Sequence, residues 1–361
     1  MNILYVSKLE GHKWQGPNQS VPNQIAAQSK YDNVFWYNIN EVKKDEWTDR
    51  INCYNLKDYP EKKLEALPAP FNKPDLVVFQ GAYEYPFCKL VYDVWNAETP
   101  YIVIPRSALT AQAQYKKRIK KAVGNVLFFN KFLKKASAIQ YLTNNELKES
   151  GLMWNENAII IPNGIEIKKE TRIFDNDPKK VGVFIGRIDP YQKGLDLLIE
   201  ACSQIREELL SEGCLIKLYG PDRYSLKDDL IKSVEEKNLQ SIISFHDAVF
   251  DKEKEKIQLE ADFFILTSRF EGHPMGLIEA LSYGLPCFAT EGTNMSEEIE
   301  GANAGWVANN TVESIKMGLL RLLAENWRFE DKSNAAKILA RKYDWNALAK
   351  ETNRRYNLLI K

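Results

Sequence analysis

The chain has no hydrophobic run of membrane-span length, no Cys-x-x-Cys pair, no excess of charge of either sign and only three histidines. Each shortage removes a class of function. A spanning helix needs about 18 or more consecutive apolar residues, and nothing here approaches that. The start, MNILYVSKLEG, reads as a short apolar strand rather than a secretory leader. Five cysteines (Cys53, Cys88, Cys202, Cys214 and Cys287) are odd in number and suit a reducing compartment, so a cytoplasmic protein is expected. His12, His246 and His273 lie far apart, none at ligand spacing with a cysteine, so no metal site is expected. Lys plus Arg equal Asp plus Glu at 49 each, which gives no electrostatic argument for nucleic acid.

What is present is length and alternation. A chain of 361 residues exceeds what one hydrophobic core usually serves, so two domains are expected. Short apolar runs at Asn2 to Val6, Val34 to Tyr37, Asp75 to Phe79, Tyr101 to Ile104, Ala138 to Leu142 and Ala158 to Ile161 read as strands separated by helical stretches. A second series follows at Val181 to Ile185, Leu215 to Tyr219, Ile242 to Phe245, Phe263 to Leu266 and Cys287 to Ala289. Such βα alternation implies α/β units built on mostly parallel sheets. The boundaries read as a first Rossmann-like domain over 1–165, a polar linker over 166–178, a second Rossmann-like domain over 179–343, and a last helix over 344–361 returning to the first domain.

The stretch richest in chemistry is ADFFILTSRFEGHPMGLIEALSYGLPCFAT, residues 261–290. It reads as strand, loop, helix, strand. The loop leaves the strand's carboxyl end, where open parallel sheets bind ligands, and a helix start there attracts anions. Glu271 and Glu279 lie eight positions apart, so both carboxylates can face one pocket beside the amides of Gly272 through Leu277. Carboxylates accept from hydroxyls and helix-start amides donate to phosphate, a combination that suits a sugar joined to a diphosphate. Upstream, in KKVGVFIGRIDPYQKGLDLLIEA, Gly186 permits a close approach and Arg187 and Lys193 place two cations where a diphosphate can sit.

Taken together, Glu271 and Glu279 within SRFEGHPMGLIEALSYGLPCFAT, and Gly186, Arg187, Ile188, Lys193, Gly194, Asp196, Leu198 and Ile199 in register upstream, resemble the two signatures of retaining glycosyltransferases of family 4. That resemblance covers residues 180–361 by motif and the remainder by architecture. It implies a GT-B fold, two Rossmann-like domains facing a cleft, and transfer of a hexose-type sugar from a nucleotide-sugar, a UDP-sugar first among donors. The acceptor implied is a saccharide or lipid-linked saccharide in bacterial cell-surface glycan synthesis. No separate cofactor and no metal are implied. By the same resemblance Glu271, Arg187 and Lys193 carry the chemistry. The implied donor contacts are Glu279, Gly272, His273, Pro274, Met275, Gly276, Leu277, Gly186, Gly16 of the first loop and Val249 beside the base. PRSALTAQAQ resembles an acceptor-side segment containing Arg106, with Ser107 where relatives have glycine.

One feature stands outside the motifs. Residues 113–135 hold eight basic side chains and no acidic one, with Tyr115, Phe128, Phe129 and Phe132 interleaved. This is either a solvated helix face over core aromatics or a peripheral membrane patch presenting Lys116, Lys117, Lys120 and Lys121 together. Competing identities are a GT-B phosphorylase, for which no cofactor lysine is identifiable, a sugar-nucleotide epimerase, and a non-catalytic GT-B partner of another transferase.

Overall fold

The computed structural model describes residues 1–12, 15–115, 118–174, 180–222, 225–325 and 328–360. The chain divides into two compact units, Met1–Gly164 with Trp345–Lys361, and Ile165–Asp344.

The first unit holds β1 (Asn2–Ser7), β2 (Asn33–Asn38), β3 (Cys53–Asn55), β4 (Leu76–Gln80), β5 (Tyr101–Ile104), β6 (Ala138–Tyr141) and β7 (Ala158–Ile160). They form one sheet in the order β3-β2-β1-β4-β5-β6-β7, with every pairing parallel. Strands covered on both faces need no alternation, and β4 is buried at all five positions. The returning helix Trp345–Leu359 buries Leu348, Ala349, Thr352 and Tyr356, a three-to-four-residue stripe that meets the first core. Its Tyr356 hydroxyl donates to Gln140 Oε1 at 2.6 Å, and Asn353 Nδ2 donates to both Asp32 oxygens.

The second unit holds β8 (Lys180–Ile185), β9 (Cys214–Tyr219), β10 (Ile243–His246), β11 (Phe263–Leu266), β12 (Cys287–Thr290) and β13 (Gly305–Ala308). Their order is β10-β9-β8-β11-β12-β13, again all parallel. The fold class expected from the alternation, α/β with two Rossmann-like parallel sheets of GT-B type, is the one observed. Two short strands, β3 and β13, join the sheets beyond the apolar runs read as strands in the sequence. The described part of the expected linker, 166–174, packs onto the second unit: Ile167 and Phe174 sit against its core, and Arg172 pairs with Asp262 at 3.1 Å.

Strand order reverses once in each sheet, between β1 and β4 and between β8 and β11. At such a switch point the loops leaving the carboxyl ends diverge and open a crevice, which is where open parallel sheets take ligands.

Candidate functional site

In the second unit the switch point is flanked by the loop after β8, containing Gly186, Arg187 and Lys193, and the loop after β11, containing Ser268 to Pro274. Backbone and side-chain bonds stitch the two loops together. Thr267 Oγ1 donates to the carbonyls of Lys193 and Gly194 at 3.1 and 3.0 Å, and the Arg269 amide donates to Gln192 O at 2.9 Å. Gly194 caps the helix Leu195–Gln204 at φ +61°, and a Cβ there would stand 2.0 Å from Thr267 O. Glycine is needed twice over at that position. Helix Met275–Ser282 begins against the end of β8, since a Cβ on Gly276 would lie 3.2 Å from Ile185 O. Its N-cap is Pro274, which has no polar side chain to answer the first amides; the Leu277 N–H turns back to the Pro274 carbonyl at 3.1 Å, and among the described residues those of Met275 and Gly276 are left for a ligand or water.

The charged groups alternate in sign. Glu271 Oε1 takes an ion pair from Lys193 Nζ and a 2.7 Å bond from Ser268 Oγ. Glu279 Oε2 takes one from Lys254 Nζ, on the neighbouring helix Asp251–Glu260. Among the described residues Glu271 Oε2 and Glu279 Oε1 have no hydrogen-bond partner. Each carboxylate therefore has one oxygen held and one open. Arg187 Nη2 donates to Gln192 Oε1 at 2.5 Å and lies 3.5 Å from Asp189 Oδ2, while its Nε is closed off without a partner. The side chains of Arg187, Lys193, Glu271, Lys254 and Glu279 are between 11% and 24% exposed, reachable from solvent but walled by protein.

Other residues singled out in the sequence sit differently. His273 and Leu277 turn inward: Leu277 is in the core, and the His273 ring packs 5.2 Å from that of Tyr343. Burial holds the His273 pKa down at about 3, so its imidazole is neutral. Both can meet a ligand only through backbone. Met275 is partly buried against the core, and Val249 is buried in the loop after β10. Gly272 is fixed from behind by Asn294, whose Nδ2 donates to the Glu271 carbonyl at 2.5 Å and the Gly272 carbonyl at 3.4 Å.

Gly16 belongs to the first unit, where it opens the helix Gly16–Gln28 with Pro17 in the first turn. The Arg106 guanidinium donates through all five N–H groups, to Gln80 twice, Ser20, Gln24 and Asn163, at 2.8 to 3.4 Å. Burial lowers its pKa to about 10 despite the nearby Glu146 carboxylate. A guanidinium answered on every side has nothing left for a substrate anion, so the acceptor contact expected of Arg106 is corrected to a scaffold role. Arg106 and Ser107 are both left-handed, at φ +51° and +66°, which explains the glycine usual at the second position. The Ser107 amide donates to the buried Glu146 carboxylate, and its Oγ is closed off without a partner.

Lys254, Gln192 and Asp189 escaped sequence reasoning, as did the bonds that Ser268 and Asn294 make to the Glu271 segment. Lys254 and Asn294 lie 25 and 23 residues from their partners, a separation at which spacing carries no signal.

Comparison with known proteins agrees with this geometry. Residues 166–343 match the family model described as glycosyl transferases group 1. An uncharacterized glycosyltransferase of Methanocaldococcus jannaschii is 28% identical over 187 residues, 51% of this chain and 46% of that one. A GDP-mannose:cellobiosyl-diphosphopolyprenol alpha-mannosyltransferase of Xanthomonas oryzae pv. oryzae is 24% identical over 190 residues, 52% of this chain and 49% of that one. The matched part thus spans about half the length of each relative. The solved structure of Anabaena HepE in complex with UDP and glucose superposes with a TM-score of 0.71 at 14% identity, covering 99% of both chains. With both signatures lying inside the matched span, the chain carries a glycosyl transferases group 1 domain on a GT-B fold.

Proposed function

We propose that this chain is a retaining, family 4 type glycosyltransferase moving a hexose-type sugar from a nucleotide-sugar, a UDP-sugar first among donors, to a saccharide or lipid-linked saccharide of cell-surface glycan synthesis. The observation that carries this reading is the pair of half-answered carboxylates, Glu271 and Glu279, beside Arg187, Lys193 and an uncapped helix start at one switch point. The open oxygens suit hydroxyl groups of a sugar and a ribose. Arg187, Lys193 and the amides of Met275 and Gly276 suit a diphosphate.

Breaking the sugar–phosphate bond builds negative charge on the leaving diphosphate and positive charge on the anomeric carbon. Donors already in place stabilise the first without reorganising at the moment of reaction. Lys193 is tied to Glu271 before substrate arrives, so phosphate binding shifts the ammonium from carboxylate toward phosphate and frees Glu271 to take sugar hydroxyls. No nucleophile is assigned: in this reading the acceptor attacks from the face the phosphate leaves, and a departing phosphate oxygen takes its proton. The cations already supply the charge neutralisation a metal would, so a metal-free reaction is proposed.

A place of action at the cytoplasmic face of a membrane is supported by the first unit. Residues Arg118–Gly124, the π-helical turn Asn125–Phe129 and Asn130–Lys134 bury Phe128, Phe129 and Phe132 and expose Ile119, Val123, Val126 and Leu127. Lys120 is exposed, but Lys121 turns onto the Tyr83 ring at 4.9 Å, so the expected four-lysine face is corrected. Lys116 and Lys117 lie outside the described residues. An exposed apolar stripe with basic flanks fits an anionic lipid interface better than lysines alone. Among the described residues no helix is long and apolar enough to cross a membrane.

Nucleotide release from a panel of UDP-, GDP- and ADP-sugars, with saccharide and polyprenyl-linked acceptors, tests the activity. Release from none of them by folded protein would overturn it. For the membrane contact, sedimentation with anionic liposomes at low salt should be lost when Ile119, Val126 and Leu127 become serine. A wild type that stays in the supernatant would favour a soluble acceptor.

A further inference from the structure

Lys254 belongs to neither signature, yet its ammonium is the group that holds Glu279. It lies in the first turns of helix Asp251–Glu260, which follows β10, and Glu279 lies in the second turn of helix Met275–Ser282, which follows β11. Both side chains are 16% exposed. A second bond joins the two segments, the Tyr283 hydroxyl at the C-cap of helix Met275–Ser282 donating to Glu255 Oε1 at 3.2 Å, so Lys254 is not the single tie between them. What the lysine adds is local. A glutamate has three side-chain torsions and, unheld near a surface, samples many orientations. Lys254 ties Oε2 and leaves Oε1 open. The arrangement repeats at Glu271, where Lys193 and Ser268 tie Oε1 and leave Oε2 open.

We propose that Lys254 is a positioning residue of the donor site, holding the Glu279 carboxylate in the single orientation that accepts the ribose hydroxyls of a nucleoside diphosphate. The inference rests on the donor-binding reading given above. It deepens that reading by naming a residue outside both signatures on which affinity for the ribose depends. Lys254 acts through Glu279, so its removal loosens the ribose contact and leaves the diphosphate contacts of Arg187 and Lys193 in place. The donor's KM then rises while kcat holds.

Calorimetry on the full chain with UDP, GDP and ADP first identifies the nucleoside diphosphate bound best, and its 2′,3′-dideoxy analogue serves as control. Lys254→Met should weaken the ribonucleotide about tenfold, the scale of one charge-assisted hydrogen bond. It should leave the dideoxy analogue unchanged, and Lys254→Arg should recover most of the loss. Glu279→Gln should weaken the ribonucleotide to a similar degree, and combining it with Lys254→Met should add little, because the two act as one unit. Equal weakening of both nucleotides, or of neither, would overturn the proposal, as would full additivity of the two changes. Should Lys254→Met not fold, an unaltered ribonucleotide preference in Glu279→Gln would overturn it equally. Failure of the wild type to bind any nucleoside diphosphate is a different result, and it would overturn the donor reading itself.

Discussion

Arg106 and Arg187 each follow a strand at the carboxyl edge of a parallel sheet, yet the two units use them in opposite ways. In the first unit Arg106 is buried and spends every N–H on Gln80, Ser20, Gln24 and Asn163, tying the helix Gly16–Gln28 and the turn at Asn163 to β4. In the second, Arg187 is partly open, holds Gln192 and the edge of Asp189 through Nη2, and has no partner for Nη1 among the described residues. A buried guanidinium is costly unless every donor is met, and once met it has no capacity left. The lesson is that an arginine's place at a sheet edge does not identify a binding residue. The hydrogen bonds it still has to make do.

The largest expected effect is on stability. Arg106→Met leaves the Gln80, Gln24, Ser20 and Asn163 oxygens buried without their donor, and the loss should be about 3 kcal/mol or more. Chemical denaturation followed by a first-unit tryptophan checks this, and an unchanged midpoint would break the contrast. Next in size, Arg187→Ala or Lys193→Ala should lower turnover by about two orders of magnitude, as for a lost transition-state donor, with little change in stability. Wild-type turnover in either variant would remove the second unit's side of the comparison.

His273 sharpens the comparison within the second unit, since it lies in the loop after β11 but is walled in. Its folded pKa is about 3, below the ordinary histidine value of about 6.5. Between those values the unfolded chain takes up a proton that the folded one refuses. Stability conferred by the neutral ring is therefore present above about pH 6.5 and lost as pH falls toward 3, by at most about 1.4 kcal/mol per pH unit. His273→Leu should flatten that slope, and a slope unchanged by the substitution would mean the ring is not shielded. The smallest expected effect is none: EDTA should leave turnover intact, and loss restored by Mg²⁺ or Mn²⁺ would show that the cations alone do not neutralise the leaving group.

Much of the fold was legible because its strands are buried on both faces and read as unbroken apolar runs, as at Leu76–Gln80 and Phe263–Leu266. The short β3 and β13 were not, since β3 has three residues ending on Asn55 and β13 opens on Gly305, so neither shows as an unbroken apolar run. The strand, loop and helix that carry Glu271 in the loop and Glu279 in helix Met275–Ser282 were legible in the local pattern. The inward turn of His273 and Leu277 was not, because residues adjacent in a loop and first turn point in different directions once the helix docks. The basic stretch shows the same limit: its charge was visible, but the exposed stripe of Ile119, Val123, Val126 and Leu127 depended on Phe128, Phe129 and Phe132 taking the core side.

The sequence by itself determined the two parallel α/β units, the cations and carboxylates of the second, and the glycines that let its loops approach, because these follow from local pattern and backbone permission. Only the tertiary structure decided which oxygens of Glu271 and Glu279 stay open, that Lys254 holds the other oxygen of Glu279, and that Arg106 is already satisfied. Hydrogen-bond capacity is consumed by neighbours distant in sequence, and no local pattern records which neighbours those are.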